Sequence, residues 1–449
     1  MKEPISQVMA EDKIAKQRSL SEVSRKQAAA RNRGLAVGAG IVGNFLEWFD
    51  YGLYGTLAVV ISGVFFPSKD PIVSLLMTFV VFAVGFVMRP FGGFVFGHIA
   101  DRYGRKIALS WTIFLMAGST FAMGLTPSYA SIGIIAPSFL ALCRLVQGLS
   151  TGGEWGGATT FLVEYAPDSR RGLYGSFQQV SNIGGLMIGS LIGVILTYNL
   201  SHEALYTWGW RIPFLAGVSL GVVGWYMRRQ IEDTPAYKEV EISHRVVANP
   251  IRSAFRDHHS SIIKMFVFQF SPAVTYFTLF MFMGTYINKI LKVPLNRAIL
   301  SNFFCLLFVV MVIPIMGHIS DKIGRKAVLL TGYISFAIFT YPLFVFIGDG
   351  NFAKLVFAQL VLGLFMAMYS GPGPAFTAEI FPTNVRVSTM SIGYNAAVAL
   401  LGGTAPFVNT YLIKVTNNNI APAFYVTIAS VISVFAICTL PETYNKPLQ

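Results

Sequence analysis

Twelve long apolar stretches, at about 35–62, 72–99, 107–126, 134–161, 173–197, 210–227, 263–287, 298–319, 327–347, 354–377, 388–412 and 421–440, leave this chain few ways to fold. A helix crosses the hydrocarbon of a bilayer with roughly 20 apolar residues. Inside hydrocarbon every backbone N–H and C=O must find a partner in the chain itself, so only helices and closed barrels span it. These runs are too long and continuous for the alternating strands of a barrel. The expectation is an all-α integral membrane protein of twelve transmembrane helices. Its composition agrees, with 12% charged and 54% hydrophobic residues, against about a quarter charged in soluble domains.

The formal net charge of +13 would suit a nucleic-acid partner, but the placement of the basic residues points to a bilayer instead. With both ends inside, 25 of the 34 Lys and Arg fall in the tails, the segment after helix 6 and the inward loops. Seven fall in outward loops, and Arg89 and Arg144 lie within spans. That is the positive-inside pattern, and it puts both termini in the cytoplasm of a multi-pass inner-membrane protein with no nucleic-acid role. The first 33 residues carry eight Lys or Arg and lack the apolar core of a secretory signal. Cys143, Cys305 and Cys438 sit in apolar runs with no metal-site or disulfide spacing, so they are expected to serve packing.

The chain contains a repeat. Gly97-His98-Ile99-Ala100-Asp101-Arg102-Tyr103-Gly104-Arg105-Lys106 returns 220 residues later as Gly317-His318-Ile319-Ser320-Asp321-Lys322-Ile323-Gly324-Arg325-Lys326, with seven of ten positions identical. A second pair, Glu164-x-x-Pro167-x-x-x-Arg171 and Glu379-x-x-Pro382-x-x-x-Arg386, lies 215 residues apart. Two duplicated halves are implied: an N-terminal tail 1–33, a six-helix half 34–228, a polar linker 229–262, a second six-helix half 263–440 and a tail 441–449. An ATP-driven pump is disfavoured because no G-x-x-x-x-G-K-[ST] string occurs, and an embedded enzyme because neither HExxH nor G-x-S-x-G occurs.

The twice-present G-x-x-x-D-[RK]-x-G-R-[RK] loop resembles the mark of the major facilitator superfamily, and the likeness covers essentially the whole chain. It narrows to the metabolite:proton symporter branch on the strings Gly43-Asn44-Phe45-Leu46-Glu47-Trp48-Phe49-Asp50, Arg89-Pro90-Phe91-Gly92-Gly93, Arg144-Leu145-Val146-Gln147-Gly148, Gly152-Gly153-Glu154 and Trp208-Gly209-Trp210-Arg211-Ile212-Pro213-Phe214. Members of that branch carry 2-oxoglutarate, citrate, shikimate, or proline and betaine. The resemblance implies two halves that rock around a substrate near the bilayer midplane.

Ionisable groups within a span are costly and usually face a cavity or a partner. At 100° per residue, Asn44, Glu47, Tyr51 and Tyr54 of helix 1 fall within about 80°, with Asp50 about 40° further round. On helix 4, Arg144, Gln147, Thr151 and Glu154 share a similar arc. A carboxylate balanced between burial and a neighbouring guanidinium can exchange a proton, so Glu47, Asp50 and Glu154 are the candidate proton carriers. Arg89 and Arg144 offer planar forks of donors suited to a substrate carboxylate. They are equally candidates for plain counter-ions to those acids, locking the bundle. Asn44, Tyr51, Gln147, Gln178, Asn182 and Tyr276 complete the candidate substrate site. Trp208 and Trp210 read as anchors at the outer headgroup boundary.

In the duplicated loops, Gly97, Gly104 and Gly317 allow close approach and sharp turns. Asp101 suits the N-terminus of helix 11, near Arg386. By symmetry Asp321 suits the start of helix 5, near Arg171, with Glu164 and Glu379 completing two clusters beside Arg102, Arg105 and Arg325. The resemblance implies that these inner bridges hold the outward-open state. The expected protein is a proton-coupled symporter, monomeric and without cofactor, its coupling ion the proton, importing a small carboxylate such as 2-oxoglutarate or citrate. The alternative is a symporter of zwitterionic osmolytes, favoured by Val274-Thr275-Tyr276-Phe277 and by the aromatic side chains Trp48, Tyr51 and Tyr276 that could cover a quaternary ammonium.

Overall fold

The computed structural model describes residues 34, 37–69, 71–230, 233–243 and 250–448; the tail expected over 1–33 lies outside them. The membrane helices are α1 (Val37–Thr56, continued by Ala58–Phe65), α2 (Pro71–Tyr103), α3 (Arg105–Leu125), α4 (Ile135–Tyr165), α5 (Arg171–Asn199) and α6 (Arg211–Arg229). The second half holds α7 (Ile262–Ile290), α8 (Leu295–Ile323), α9 (Arg325–Phe346), α10 (Phe352–Ile380), α11 (Arg386–Thr416) and α12 (Ala421–Thr439). The all-helical expectation is met. Among the described residues nine of these pass as spans on length and apolarity alone, and ten if the bent α1 counts as one. The other two, α4 and α6, carry the arginines, acids and glycines that the following sections put to use.

Local geometry departs from the expected stretches in three places. The run expected as one helix over 35–62 bends by 72° after Thr56. Helix α7 contains π turns at Thr278–Phe282 and Tyr286–Ile290, and α11 one at Val398–Gly402; such turns often mark functional sites. Trp210 is not an interfacial anchor: it is 1% exposed and packs edge-on to Phe65 at 5.3 Å, while Trp208 stays half exposed. Cys143 and Cys305 are buried, and Cys438 is exposed.

The duplication in sequence is a duplication in packing. In the first half α2 packs on α4, and α3 on both α4 and α6; in the second α8 packs on α10, and α9 on both α10 and α12. The halves join along α5 with α8 and α2 with α11. Gly104 (φ 106°) and Gly324 (φ 98°) make the sharp turns into α3 and α9, where a side chain would be strained.

Small residues let these helices touch. A Cβ on Gly148 would lie 2.0 Å from the Gly85 carbonyl oxygen, and one on Gly172 would lie 2.5 Å from that of Gly317 in the opposite half. Gly148→Val should therefore force α2 and α4 apart and lower stability by about 1–3 kcal/mol. Gly118→Ala, whose Cβ would meet nothing within 4 Å, should leave it unchanged or slightly higher. Thermal unfolding of both variants in detergent checks the pair.

Candidate functional site

The polar face of α1 is buried throughout: Asn44, Glu47, Asp50, Tyr51 and Tyr54 are each at most 5% exposed. Glu47 meets the Arg89 guanidinium of α2 at 2.9 Å. Arg89 also donates to the Tyr51 hydroxyl at 3.3 Å and to Asn395 Oδ1 of α11 at 3.4 Å. A turn along α1, Asp50 is ion-paired with Arg144 of α4. Gln147 braces that pair, accepting from Arg144 at 2.8 Å and donating to Asp50 at 3.2 Å and to Thr120 at 2.8 Å. The Arg144 guanidinium lies 3.9 Å from the Tyr54 ring centroid, a cation–π contact between buried groups. Two acids face two arginines, so the formal charges cancel.

Glu154 belongs to a third pair. It accepts from Arg228 at 2.6 Å and from Thr112, and Arg228 also donates to the Ala39 carbonyl at 2.9 Å. Arg228, one residue past the apolar stretch 210–227, is buried in the last turn of α6. Gly43 makes room for this pair, since a Cβ there would lie 1.8 Å from Glu154 Oε1.

A small cavity of about 40 Å³ lies between the halves, lined by Trp48 of α1, Gln179 and Asn182 of α5, Gln269, Tyr276 and Phe277 of α7, Tyr369 and Ser370 of α10, and Tyr394 and Val398 of α11. No charged side chain is part of this lining. Trp48 and Tyr276 meet across the halves with ring centroids 4.9 Å apart. Of the expected substrate residues, Asn182 and Tyr276 line the cavity. Arg89, Arg144, Asn44, Tyr51, Gln147 and Gln178 do not: Asn44 accepts from Gln178 at 3.2 Å, and the others are bound up with the ion pairs. Periodicity on α1 and α4 located their polar faces but not what those faces meet.

At the end of the bundle that carries the duplicated loops, each Asp caps a helix of the other half. Asp101 accepts from the Val387 and Ser388 N–H groups at 3.3 and 2.8 Å, and Asp321 from those of Gly172 and Leu173, both at 2.8 Å. Unsatisfied N–H groups and the helix dipole make these natural seats for a carboxylate. Arg105 pairs with Asp101 at 3.1 Å, and Arg325 with Asp321 at 2.6 Å. A Cβ on Gly97 would lie 2.9 Å from Ser388 Cα, and one on Gly317 2.6 Å from the Gly172 carbonyl oxygen.

The two clusters are not equivalent. Glu164 takes Arg386 of the opposite half at 2.5 Å as well as Arg105 at 3.4 Å, whereas Glu379 takes Arg325 of its own half at 3.2 Å. Arg171, expected beside Asp321, turns instead to Asp168 and to the Lys446 carbonyl oxygen. The Arg102 side chain is exposed, and its carbonyl oxygen accepts from Tyr237 at 2.9 Å.

Sequence reasoning missed a further pair of acids. Asp233 accepts from the N–H groups of Arg105 and Lys106 at 3.0 and 3.4 Å, and Glu442 from those of Arg325 and Lys326 at 3.1 and 3.0 Å. The following residues, Thr234 and Thr443, donate to Glu164 and Glu379. Burial pushes the Asp233 carboxyl above its ordinary value, against the N–H groups that favour its charge. The signal was available: Asp233-Thr234 and Glu442-Thr443 stand 209 residues apart, just beyond α6 and α12.

This architecture is that of a multi-pass membrane transporter. A family profile described as Sugar (and other) transporter matches residues 36–250, and one described as Major Facilitator Superfamily matches residues 298–448. The chain is 34% identical over 424 residues to a proline/betaine transporter of Salmonella typhimurium, covering 92% of this chain and 84% of that protein. It is also 34% identical over 423 residues to a glycine betaine/proline/ectoine/pipecolic acid transporter of Dickeya dadantii, with the same coverage. In fold it matches a proton:xylose symporter with a TM-score of 0.78 at 17% identity, over 93% of this chain and 98% of that one. The chain belongs to the major facilitator superfamily.

The unequal clusters carry an expected outcome. Glu164→Gln releases a cation from each half, Glu379→Gln one from its own half. A cysteine placed at the buried Ser388, in a background without the native cysteines, should then react with an impermeant maleimide about tenfold faster in Glu164→Gln, equivalent to ~1.4 kcal/mol. The same cysteine should change little in Glu379→Gln.

Proposed function

We propose that this protein is a proton-coupled symporter of a small zwitterionic osmolyte, of the proline or glycine betaine type, working by alternating access in a bacterial inner membrane with both termini in the cytoplasm. The observation that carries the reading is the cavity between the halves, rich in aromatic faces and without a charged side chain in its lining. A zwitterion brings no net charge to it. A 2-oxoglutarate or citrate would bring two or three negative charges, with Arg89 and Arg144 already neutralised by Glu47 and Asp50. Uncompensated charge at that depth is costly, and this displaces the carboxylate expectation. The names of the full-length relatives favour the same alternative.

In this reading Trp48, Tyr276 and Tyr394 cover the cationic end of the substrate, a contact worth about 0.5–2 kcal/mol for each well-placed ring. Glu47 and Asp50 are the proton carriers, and protonation of Glu47 frees Arg89 for the substrate carboxylate. Glu154, tied to Arg228 and Thr112, serves packing. The carrier works as a monomer with the proton as its coupling ion and no cofactor.

Proteoliposomes loaded with a pH dye test this. Glycine betaine or proline added outside should acidify the lumen, and 2-oxoglutarate or citrate should not; the reverse pattern would overturn the reading. Trp48→Ala and Tyr276→Ala should raise KM for glycine betaine by about 2- to 30-fold. Glu47→Gln should abolish proton-driven accumulation while leaving substrate counterflow measurable.

A further inference from the structure

All four charged groups of the paired network, Glu47, Asp50, Arg89 and Arg144, stand in the first half. Asn395 reaches the network from the second half. It is fully buried on α11; its Oδ1 accepts from Arg89 Nε at 3.4 Å, and its Nδ2 donates to the Gly152 carbonyl of α4 at 2.6 Å and to the Ser391 carbonyl at 2.8 Å. One amide thus holds α11 to α2 and α4 together.

The α11 face running from Asn395 toward the duplicated loops lies flush against the first half. A Cβ on Gly156 would lie 2.2 Å from Ser391 Oγ, and one on Gly97 2.9 Å from Ser388 Cα, with Asp101 closing the end at Val387 and Ser388. The neighbour of Asn395, Tyr394, stacks on Trp155 of α4 at 3.9 Å and also lines the cavity. Asn395 therefore sits where the closed seam meets the cavity, and α11 cannot swing away from α2 and α4 until its amide lets go.

We propose that Asn395 is the positioning residue that prevents protons from crossing without substrate, by holding Arg89 and the closed seam until a substrate carboxylate takes Arg89 away. The proposal deepens the symport reading above and rests on it. Around Glu47 stand Arg89 of α2, Asp50 and Tyr51 of α1, Glu154 of α4, Tyr276 of α7 and Tyr394 of α11. Arg89 is the cation in ion-pair contact with it. When Glu47 gains a proton and becomes a neutral acid, Arg89 loses its counter-charge deep in the bundle, and besides the neutral acid's carbonyl oxygen its acceptors are Tyr51 and Asn395. The empty protonated carrier then leans harder on Asn395, and the seam stays shut. A carboxylate is a better acceptor for guanidinium than an amide oxygen, because it adds an opposite charge and can take two parallel N–H bonds. Substrate in the cavity takes Arg89, Asn395 loses its hold on α2, and the seam opens with proton and substrate both aboard.

The test compares wild type with Asn395→Ala in dye-loaded proteoliposomes under a potassium and valinomycin clamp, after an external acid pulse without substrate. Wild type should leak no faster than empty liposomes. Asn395→Ala should leak about 5- to 10-fold faster, with betaine counterflow within about threefold of wild type, and adding Glu47→Gln should remove the leak. Asn395→Asp, which keeps an acceptor for Arg89 but loses the amide donor to the Gly152 and Ser391 carbonyls, should slow counterflow. A tight Asn395→Ala with normal counterflow overturns the proposal. Loss of counterflow and leak together in Asn395→Ala, repeated in Asn395→Ser, assigns the residue to packing and overturns it too. Betaine-driven acidification by wild type is the separate control: its absence takes down the symport reading, and its presence beside a tight Asn395→Ala sinks this inference alone.

Discussion

Charge cancellation inside a low-dielectric bundle is the constraint on which the rest of this structure depends. Glu47 with Arg89, Asp50 with Arg144 and Glu154 with Arg228 are buried pairs, and stripping one partner from such a pair costs about 3–5 kcal/mol because the other is left unpaired. The helices that carry them, α1, α2, α4 and α6, are thereby held in one rotation and depth. The glycines follow from the same demand: Gly43 exists to admit Glu154, and Gly152 to let α4 reach the Arg89 backbone. The cavity is left lined by aromatic, apolar and neutral polar groups.

The duplicated loops apply the same physics at helix ends. Asp101 and Asp321 satisfy N–H groups that the opposite half cannot satisfy for itself, so the closed seam is made of hydrogen bonds that exist in one arrangement of the halves. Symmetry breaks at Arg386 and Arg171. The first crosses to Glu164, and the second is drawn off by Asp168 and the Lys446 carbonyl. A duplicated sequence thus carries two clusters with different partners, an acid that bridges the halves on the α2 and α11 side, where Asn395 also lies, and one that pairs within its own half.

Much of this was legible in advance. Helix number and class followed from apolar length, and the polar faces of α1 and α4 from a period of 3.6. Exposure was harder to read: Trp210 reads as a headgroup anchor by residue type, yet it is enclosed and packs against Phe65. The arginines stand out because charge is conspicuous in an apolar sequence. Side chains that line the cavity, such as Gln269, Tyr369 and Tyr394, stand out less because their types are common in ordinary helix packing.

The sequence by itself determined that the chain spans a membrane as two related sets of helices, with ionisable groups on definite faces, because hydrocarbon tolerates no unsatisfied backbone and helical periodicity assigns each residue a side. Only the tertiary structure decided which acid meets which arginine, which polar groups reach the cavity and which amide ties the halves together. Those outcomes depend on the rotation and depth of helices hundreds of residues apart. Any of the buried acids could have neutralised either arginine, and packing selects one arrangement.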